Sequence, residues 1–283
     1  MASFTNFATL SYNGGTTNSN IVTGEILEAL TAVKTAVSAN YSAGDRITYA
    51  LSLVNTGTAA ITDYTVTDNL GGYTVGANTV YPLAYNAGTV RYYINGVLQT
   101  APTVTAGPPL TVTGLTVPAG GSAVLIYETT ATPVAPLATG SSITNTATIT
   151  GGGLTTPITA QATVETANSA DLTISKALSP TTVTENGQIT YTFVISNTGN
   201  TEATATGNVV VTDTFAPILR NIAVTYNGTA WTEGTNYTYN AATGVFTTLA
   251  GQITVPAATF TQNTDGTFTV TPGTATLVIT GTV

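Results

Sequence analysis

The chain contains only two lysines, and they occupy matching places. Lys34 lies in Leu30-Thr-Ala-Val-Lys-Thr-Ala-Val, and Lys176 in Leu172-Thr-Ile-Ser-Lys-Ala-Leu-Ser. Both segments read as the first strand of a β domain, where a lysine packed against the core is unusual because burying an unpaired ammonium is expensive. Burial lowers a lysine's pKa and raises that of a carboxylic acid, leaving a neutral amine and a protonated acid. Placed opposite a side-chain amide, these are the reactants of amide exchange. The amine attacks the asparagine carbonyl carbon, the acid moves the protons, and ammonia leaves. The plainer alternative is that both lysines snorkel to water from an edge strand.

The elements that would position these groups are strands. Only 6% of the 283 residues are charged while 42% are hydrophobic, and the remainder is rich in the Thr, Gly and Asn that suit pleated strands and tight turns. Period-two alternation recurs in Ile47-Thr-Tyr-Ala-Leu-Ser-Leu-Val and Gln188-Ile-Thr-Tyr-Thr-Phe-Val-Ile. The stretch from Glu25 to Thr35 is read as strand rather than helix. Gly44-Asp-Arg-Ile-Thr-Tyr-Ala-Leu-Ser-Leu-Val-Asn-Thr-Gly57 repeats as Asn186-Gly-Gln-Ile-Thr-Tyr-Thr-Phe-Val-Ile-Ser-Asn-Thr-Gly199. Thr67-Asp68 likewise repeats as Thr212-Asp213, and Ser122-Ala-Val-Leu-Ile-Tyr as Thr274-Ala-Thr-Leu-Val-Ile. The expectation is an all-β chain of two tandem immunoglobulin-like Greek-key sandwiches: an N-terminal strand and linker over 1–26, a first domain over 27–150, a linker over 151–170 and a second domain over 171–283.

The repeat is offset at its ends. Ser142-Ile-Thr-Asn145-Thr-Ala-Thr-Ile-Thr-Gly151 reads as the last strand of the first domain, and the second domain has no counterpart before Val283. The missing piece stands at the other end of the chain, as Ser3-Phe-Thr-Asn6-Phe-Ala-Thr-Leu-Ser-Tyr12. A Greek-key domain short of a strand exposes an unpaired edge. The expected remedy is a donor strand, with Phe4, Asn6, Ala8, Leu10 and Tyr12 of one subunit entering the second domain of the next. Such a head-to-tail contact propagates as a filament. The same strand folding back onto its own chain's second domain is the competing arrangement.

These motifs, in order and twice over, resemble isopeptide-forming immunoglobulin-like pilin and adhesin domains and the related repeat family known as domain of unknown function 11 (DUF11). The resemblance rests on the lysine of Val33-Lys34-Thr35, on Gly44-Asp-Arg-Ile-Thr-Tyr, Val54-Asn-Thr-Gly, Val66-Thr-Asp68 and Ile143-Thr-Asn145-Thr-Ala. It implies a bond between Lys34 and Asn145 within the first domain, with Asp68 as the proton shuttle. In the second domain Lys176 and Asp213 match but the asparagine is absent, which implies Asn6 of a neighbouring subunit as the partner of Lys176. Glu128 is a rival acid in the first domain. The narrower expectation is similarity to clostridial spore-appendage subunits.

The functional expectation is therefore a structural, non-enzymatic subunit of a bacterial surface or spore appendage, at most a single-turnover catalyst of its own cross-links. Its partner is itself, with room for an unknown surface ligand. Formal net charge is −8, which argues against nucleic acid and against docking on anionic lipid. No apolar run is long enough for membrane insertion as a helix. The absence of cysteine and histidine removes disulfides and Cys/His metal sites, so no metal and no cofactor are expected. The N-terminus lacks a signal-peptide pattern, so an extracellular location implies unconventional export, assembly in a cell that later lyses, or a leader already removed. The alternative function is a monomeric adhesin or carbohydrate-binding stalk using Trp231 and the tyrosines between Tyr81 and Tyr93.

Overall fold

The computed structural model describes residues 2–26 and 29–283. The expected boundary at 26/27 abuts Leu27 and Glu28, which lie outside the described residues. The chain divides into two compact units, Met1–Ala135 with Ser142–Glu165, and Pro136–Ser141 with Thr166–Val283. Its architecture is all-β and immunoglobulin-like, as the alternation predicts.

In the first unit one sheet has the order β13 (Val97–Leu98), β12 (Arg91–Ile94), β16 (Ser122–Ala131), β7 (Arg46–Asn55) and β5 (Leu30–Ala36), with β11 (Leu83–Tyr85) also paired to β16. The other runs β14 (Thr103–Thr105), β15 (Leu110–Val117), β8 (Ile61–Asp68), β17 (Ser142–Gly151), β18 (Ile158–Thr166) and β6 (Asn40–Tyr41). A hairpin of β9 (Tyr73–Val75) and β10 (Asn78–Val80) stands beside them. The inner faces follow period two. Ile47, Tyr49, Leu51 and Leu53 of β7 are buried, as are Leu125 and Tyr127 of β16 and Tyr64 and Val66 of β8. Each such aliphatic side chain contributes about 1.5–3 kcal/mol by leaving water. In β15 the spacing slips between Val112 and Leu115 at a β-bulge. Gly114 there adopts φ +73°, a conformation open to glycine at little strain.

Strand β18 lies inside the stretch expected to be a linker. It pairs with β17 from Ser142↔Glu165 to Ile149↔Ile158 and buries Ala160, Ala162 and Val164. Residues 158–165 therefore belong to the first unit.

In the second unit one sheet runs β19 (Leu172–Ser179), β20 (Gln188–Asn197), β28 (Gly273–Thr282), β22 (Arg220–Tyr226) and β23 (Thr229–Trp231). The second sheet has three strands, β21 (Thr212–Thr214), β25 (Val245–Thr248) and β24 (Tyr237–Asn240). A separate hairpin joins β26 (Thr259–Gln262) to β27 (Phe268–Thr271). The repeated Asn-Thr-Gly motif makes the same buried corner in both units. Asn55 Nδ2 donates to the carbonyls of Ala59 and Pro118 at 2.8 and 3.0 Å, and Asn197 Nδ2 to those of Thr201 and Pro256 at 2.7 and 3.0 Å. Each side-chain oxygen then accepts the glycine N–H two residues on, at 2.9 Å.

At the N-terminus the expected single strand from Phe4 to Tyr12 is two. β1 (Ala2–Asn6) pairs with β4 (Val22–Ile26), and β2 (Thr9–Tyr12) with β3 (Gly15–Asn18). Between the two ladders the Ala8 N–H donates to Ser19 Oγ at 2.9 Å, and the Ser19 N–H to the Ala8 carbonyl at 2.8 Å. Phe4, Phe7, Leu10, Tyr12 and Val22 are all exposed.

Candidate functional site

Period two places three polar residues of the first unit where a core residue belongs. Lys34 shares the inward face of β5 with Leu30, while Asp68 follows Tyr64 and Val66 on β8. Asn145 lies between Ile143 and Ala147 on β17. Asp68 is paired with Ala147, so Asn145 stands two residues along on the same face of the neighbouring strand. Such a diagonal pair lies about 7–8 Å apart. Lys34 comes from the opposite sheet, and Nζ meets Asp68 Oδ2 at 2.5 Å with side chains 0% and 1% exposed.

Two tyrosines complete the pocket, and the sequence analysis did not single them out. Tyr49 and Tyr127 face each other across β7 and β16, their rings stacked at 5.8 Å. The Lys34 ammonium lies 4.8 Å from one ring centroid and 5.8 Å from the other. The Tyr127 hydroxyl donates to the same Asp68 oxygen, and Asp68 Oδ1 accepts the Leu70 N–H at 3.0 Å. The rival acid Glu128 points outward, as its odd step from Tyr127 requires, and sits 3.6 Å from the Arg46 guanidinium. Asp68 is the carboxyl in the pocket.

Burial drives the Lys34 ammonium down to about 8, against the opposing pull of Asp68 beside it. Burial likewise pushes both phenols up, and the nearby Asp68 charge pushes them further; the Asn145 amide beside them tempers the rise. Asn145 is itself fully buried, yet among the described residues neither Nδ2 nor Oδ1 makes a hydrogen bond of acceptable geometry. Each orphaned group costs about 1–3 kcal/mol. An amine that loses its proton near neutrality, a carboxyl and an unpaired amide thus share one dry pocket, the set that amide exchange requires.

The lowered lysine pKa has a stability signature. A folded-state lysine pKa below its unfolded value means that the unfolded chain binds more protons, so stability rises with pH above the folded pKa. In an Asn145→Ala chain, which keeps Lys34 free, the first unit is expected to gain about 2 kcal/mol between pH 7 and 9.5. The buried phenols act in the opposite sense at still higher pH. Denaturant titrations at the two pH values test this, and an equal gain in an Asn145→Ala/Lys34→Met chain would refute the assignment to Lys34.

The second unit repeats half of this pocket. Lys176 Nζ meets Asp213 Oδ2 at 2.5 Å, with the ammonium 4.5 Å from the Tyr191 ring centroid. Tyr127 is replaced by Ile279 and no residue of the unit replaces Asn145. Here the two side chains are 40% and 18% exposed. The cause lies in the sheet order: β8 is flanked by β15 and β17, whereas β21 is paired with β25 alone among the described residues. The face of β19 that carries Lys176 is consequently open, leaving Ile174 and Leu178 exposed. Asn6 lies in β1 opposite Val22. Trp231, a candidate for a carbohydrate face, stacks on Tyr226 at 4.8 Å.

No family model matches the chain, and no curated protein matches it. Among solved structures it is similar to the major pilin subunit of Bacillus cereus, at 14% identity over 96% of this chain and 73% of that one, with a TM-score of 0.36. It is also similar to the pilus backbone of Streptococcus pneumoniae, at 13% identity over 86% of this chain and 55% of that one, TM-score 0.36. A third is the N-terminal domain of a Streptococcus gordonii adhesin, at 15% identity over 47% of this chain and 31% of that one, TM-score 0.35. The chain spans under a third of that adhesin domain and just over half of the pneumococcal backbone. Residue roles in this chain rest on its own geometry.

Proposed function

We propose that the chain is a structural subunit of a bacterial surface or spore-appendage filament, growing head to tail by N-terminal donation into the second unit of the next copy and locked by Lys–Asn isopeptide bonds. The observation that carries this reading is the Asn145 amide, buried with neither polar atom satisfied in the pocket that holds Lys34 and Asp68. In the reaction the neutral Lys34 Nζ attacks Asn145 Cγ. Asp68 takes a proton from the attacking nitrogen and passes it to Nδ2, which departs as ammonia. The Tyr127 hydroxyl holds the carboxyl in place. The product amide keeps one N–H to give to Asp68, and the orphaned Nδ2 is gone. Each site reacts once, so this is not an enzyme in the turnover sense.

The second unit supports the intersubunit half of the reading. It keeps the amine and the carboxyl, lacks the amide, and leaves open the strand position that would bring one. Asn6-Phe-Ala-Thr-Leu10 repeats the Asn145-Thr-Ala-Thr-Ile149 pattern, so docking in the β17 register sets Ala8 opposite Asp213 and Asn6 toward Lys176.

The test is denaturing electrophoresis and intact-mass measurement on boiled, purified protein, with electron microscopy of the undenatured sample. The expected result is filaments that survive boiling as a ladder, lighter by one ammonia per bond. Discrete particles of unmodified mass would sink the proposal, and monomers lighter by a single ammonia would retain only the Lys34–Asn145 bond.

A further inference from the structure

We propose that the donated element is a preformed hairpin, with β1 and β2 running out and β3 and β4 returning, that replaces both β17 and β18 in the acceptor unit. This rests on the donation reading above and changes what is donated. In the first unit the edge of β8 is completed by two strands, β17 and then β18. Their register is Ser142↔Glu165, Thr144↔Thr163 and Asn145↔Ala162. The N-terminal hairpin is paired as Ser3↔Glu25, Thr5↔Thr23 and Asn6↔Val22. Serine is paired with glutamate and threonine with threonine in both registers, and the reactive asparagine is paired with a small or medium apolar residue. The separations along the chain differ by a single residue at this ladder and by two at the ladder of β2 with β3.

The remaining pair shows how the core volume is kept. Where β17 and β18 set Ile143 opposite Val164, β1 and β4 set Phe4 opposite Gly24. A Cβ at Gly24 would lie 2.4 Å from Phe4 Cζ, so the ring covers the glycine, one large side chain standing for two of middle size. The face formed by Phe4 and Val22 is exposed in the free chain, whereas its counterparts Ile143, Ala162 and Val164 are buried. The outward pair Thr144–Thr163 shares a hydrogen bond at 2.9 Å in solvent, and Thr5 and Thr23 are exposed in the same way. The occupant that fits the open edge of β21 is accordingly this hairpin of a second copy, with β2 against β21 as residues 147–151 of β17 lie against β8, and β3 and β4 forming the new outer strand. A lone inserted strand would leave its own outer edge bare.

A disulfide staple tests the difference, because the chain has no other cysteine. A Thr5→Cys/Thr23→Cys chain, oxidised, is clamped as the hairpin. Assembly followed by light scattering is expected to proceed within about twofold of the reduced form, since nothing has to peel apart. A rate more than about tenfold slower, restored by reductant, would overturn the hairpin and leave single-strand donation standing. If the parent chain, stapled or not, never assembles, donation itself fails and the hairpin with it. An independent pair of full-length variants guards against a misfolded staple. Val22→Lys is expected to slow assembly at least about tenfold, because docking buries that position, while Thr23→Lys stays within about twofold. Equal rates for the two would count against the hairpin.

Discussion

As unassembled monomer, an Asn145→Ala chain is expected to run at the mass its sequence requires and to lose about 10–20 °C in the melting temperature of the first unit, while the parent monomer runs one ammonia light. A bond from Lys34 to Asn145 closes a loop of more than a hundred residues, and the chain-entropy estimate for such a loop is about 5 kcal/mol. For a unit of this size each kcal/mol corresponds to about 2–4 °C. The sign of the change carries the information. Without the bond, Asn145 is a buried amide with two unsatisfied groups, and its removal would be close to neutral or stabilising, since about 1–3 kcal/mol of desolvation per group would be relieved. A melting temperature that holds or rises, with no mass deficit in the parent, would refute the cross-link. Differential scanning calorimetry paired with mass spectrometry reads both quantities from one preparation.

The second large effect concerns growth rather than stability. Leu10 is exposed in the free chain, yet its counterpart in the repeat, Ile149, is completely buried. Leu10→Asp should therefore leave the monomer's melting temperature within about 1 °C, as surface substitutions do. It should reduce filament formation by about a hundredfold or more, because an unpaired carboxylate would enter the acceptor core. Sedimentation of assembled material at fixed concentration measures this directly. Filaments that form normally from Leu10→Asp protein would show that the β2 segment is not what enters the second unit. Asn6→Ala separates recognition from covalent locking, since its filaments should form and then dissolve on boiling.

How much of this was legible in the sequence depended on contrast between the two faces of each strand. Strands β7 and β20 stood out because Ile, Tyr, Leu and Phe alternate there with Thr and Ser. The Asn-Thr-Gly corners repeat because a single buried amide satisfies at least three backbone groups at each turn. Strand β18 escaped notice because its inward residues begin with Ala160 and Ala162, flanked by Gln161 and Thr163. Small side chains suffice where the sheet's flank is thin, and they leave little hydrophobic signal. The return strand β4 was hidden for a related reason, since Gly24 yields its volume to Phe4.

Within the pocket, the lysines and aspartates were found by repetition, whereas Tyr127 breaks the repeat at Ile279 and was passed over. Strand parity alone separates it from Glu128: Leu125 is buried, so Tyr127 faces inward and Glu128 outward. The half-complete second pocket, by contrast, followed from counting strands. An asparagine without a lysine at one end of the chain, and a lysine without an asparagine at the other, are what the donation proposal joins across two copies.

The placement of Lys34 and Asn145 near the two ends of the first unit has a mechanical consequence. With both cross-links formed, tension entering a subunit at Asn6 travels along the chain to Lys34, crosses to Asn145, and continues to Lys176 and the next subunit's Asn6. The long stretch from β7 to β16, with most of the first unit's hydrophobic core, lies outside that route. Those strands would feel no pull when the fibre is stretched, so its extensibility would be set by what stays on the route, the β2–β3 hairpin and the β17–β18 pair with their connections, rather than by the sheet of β7 and β16.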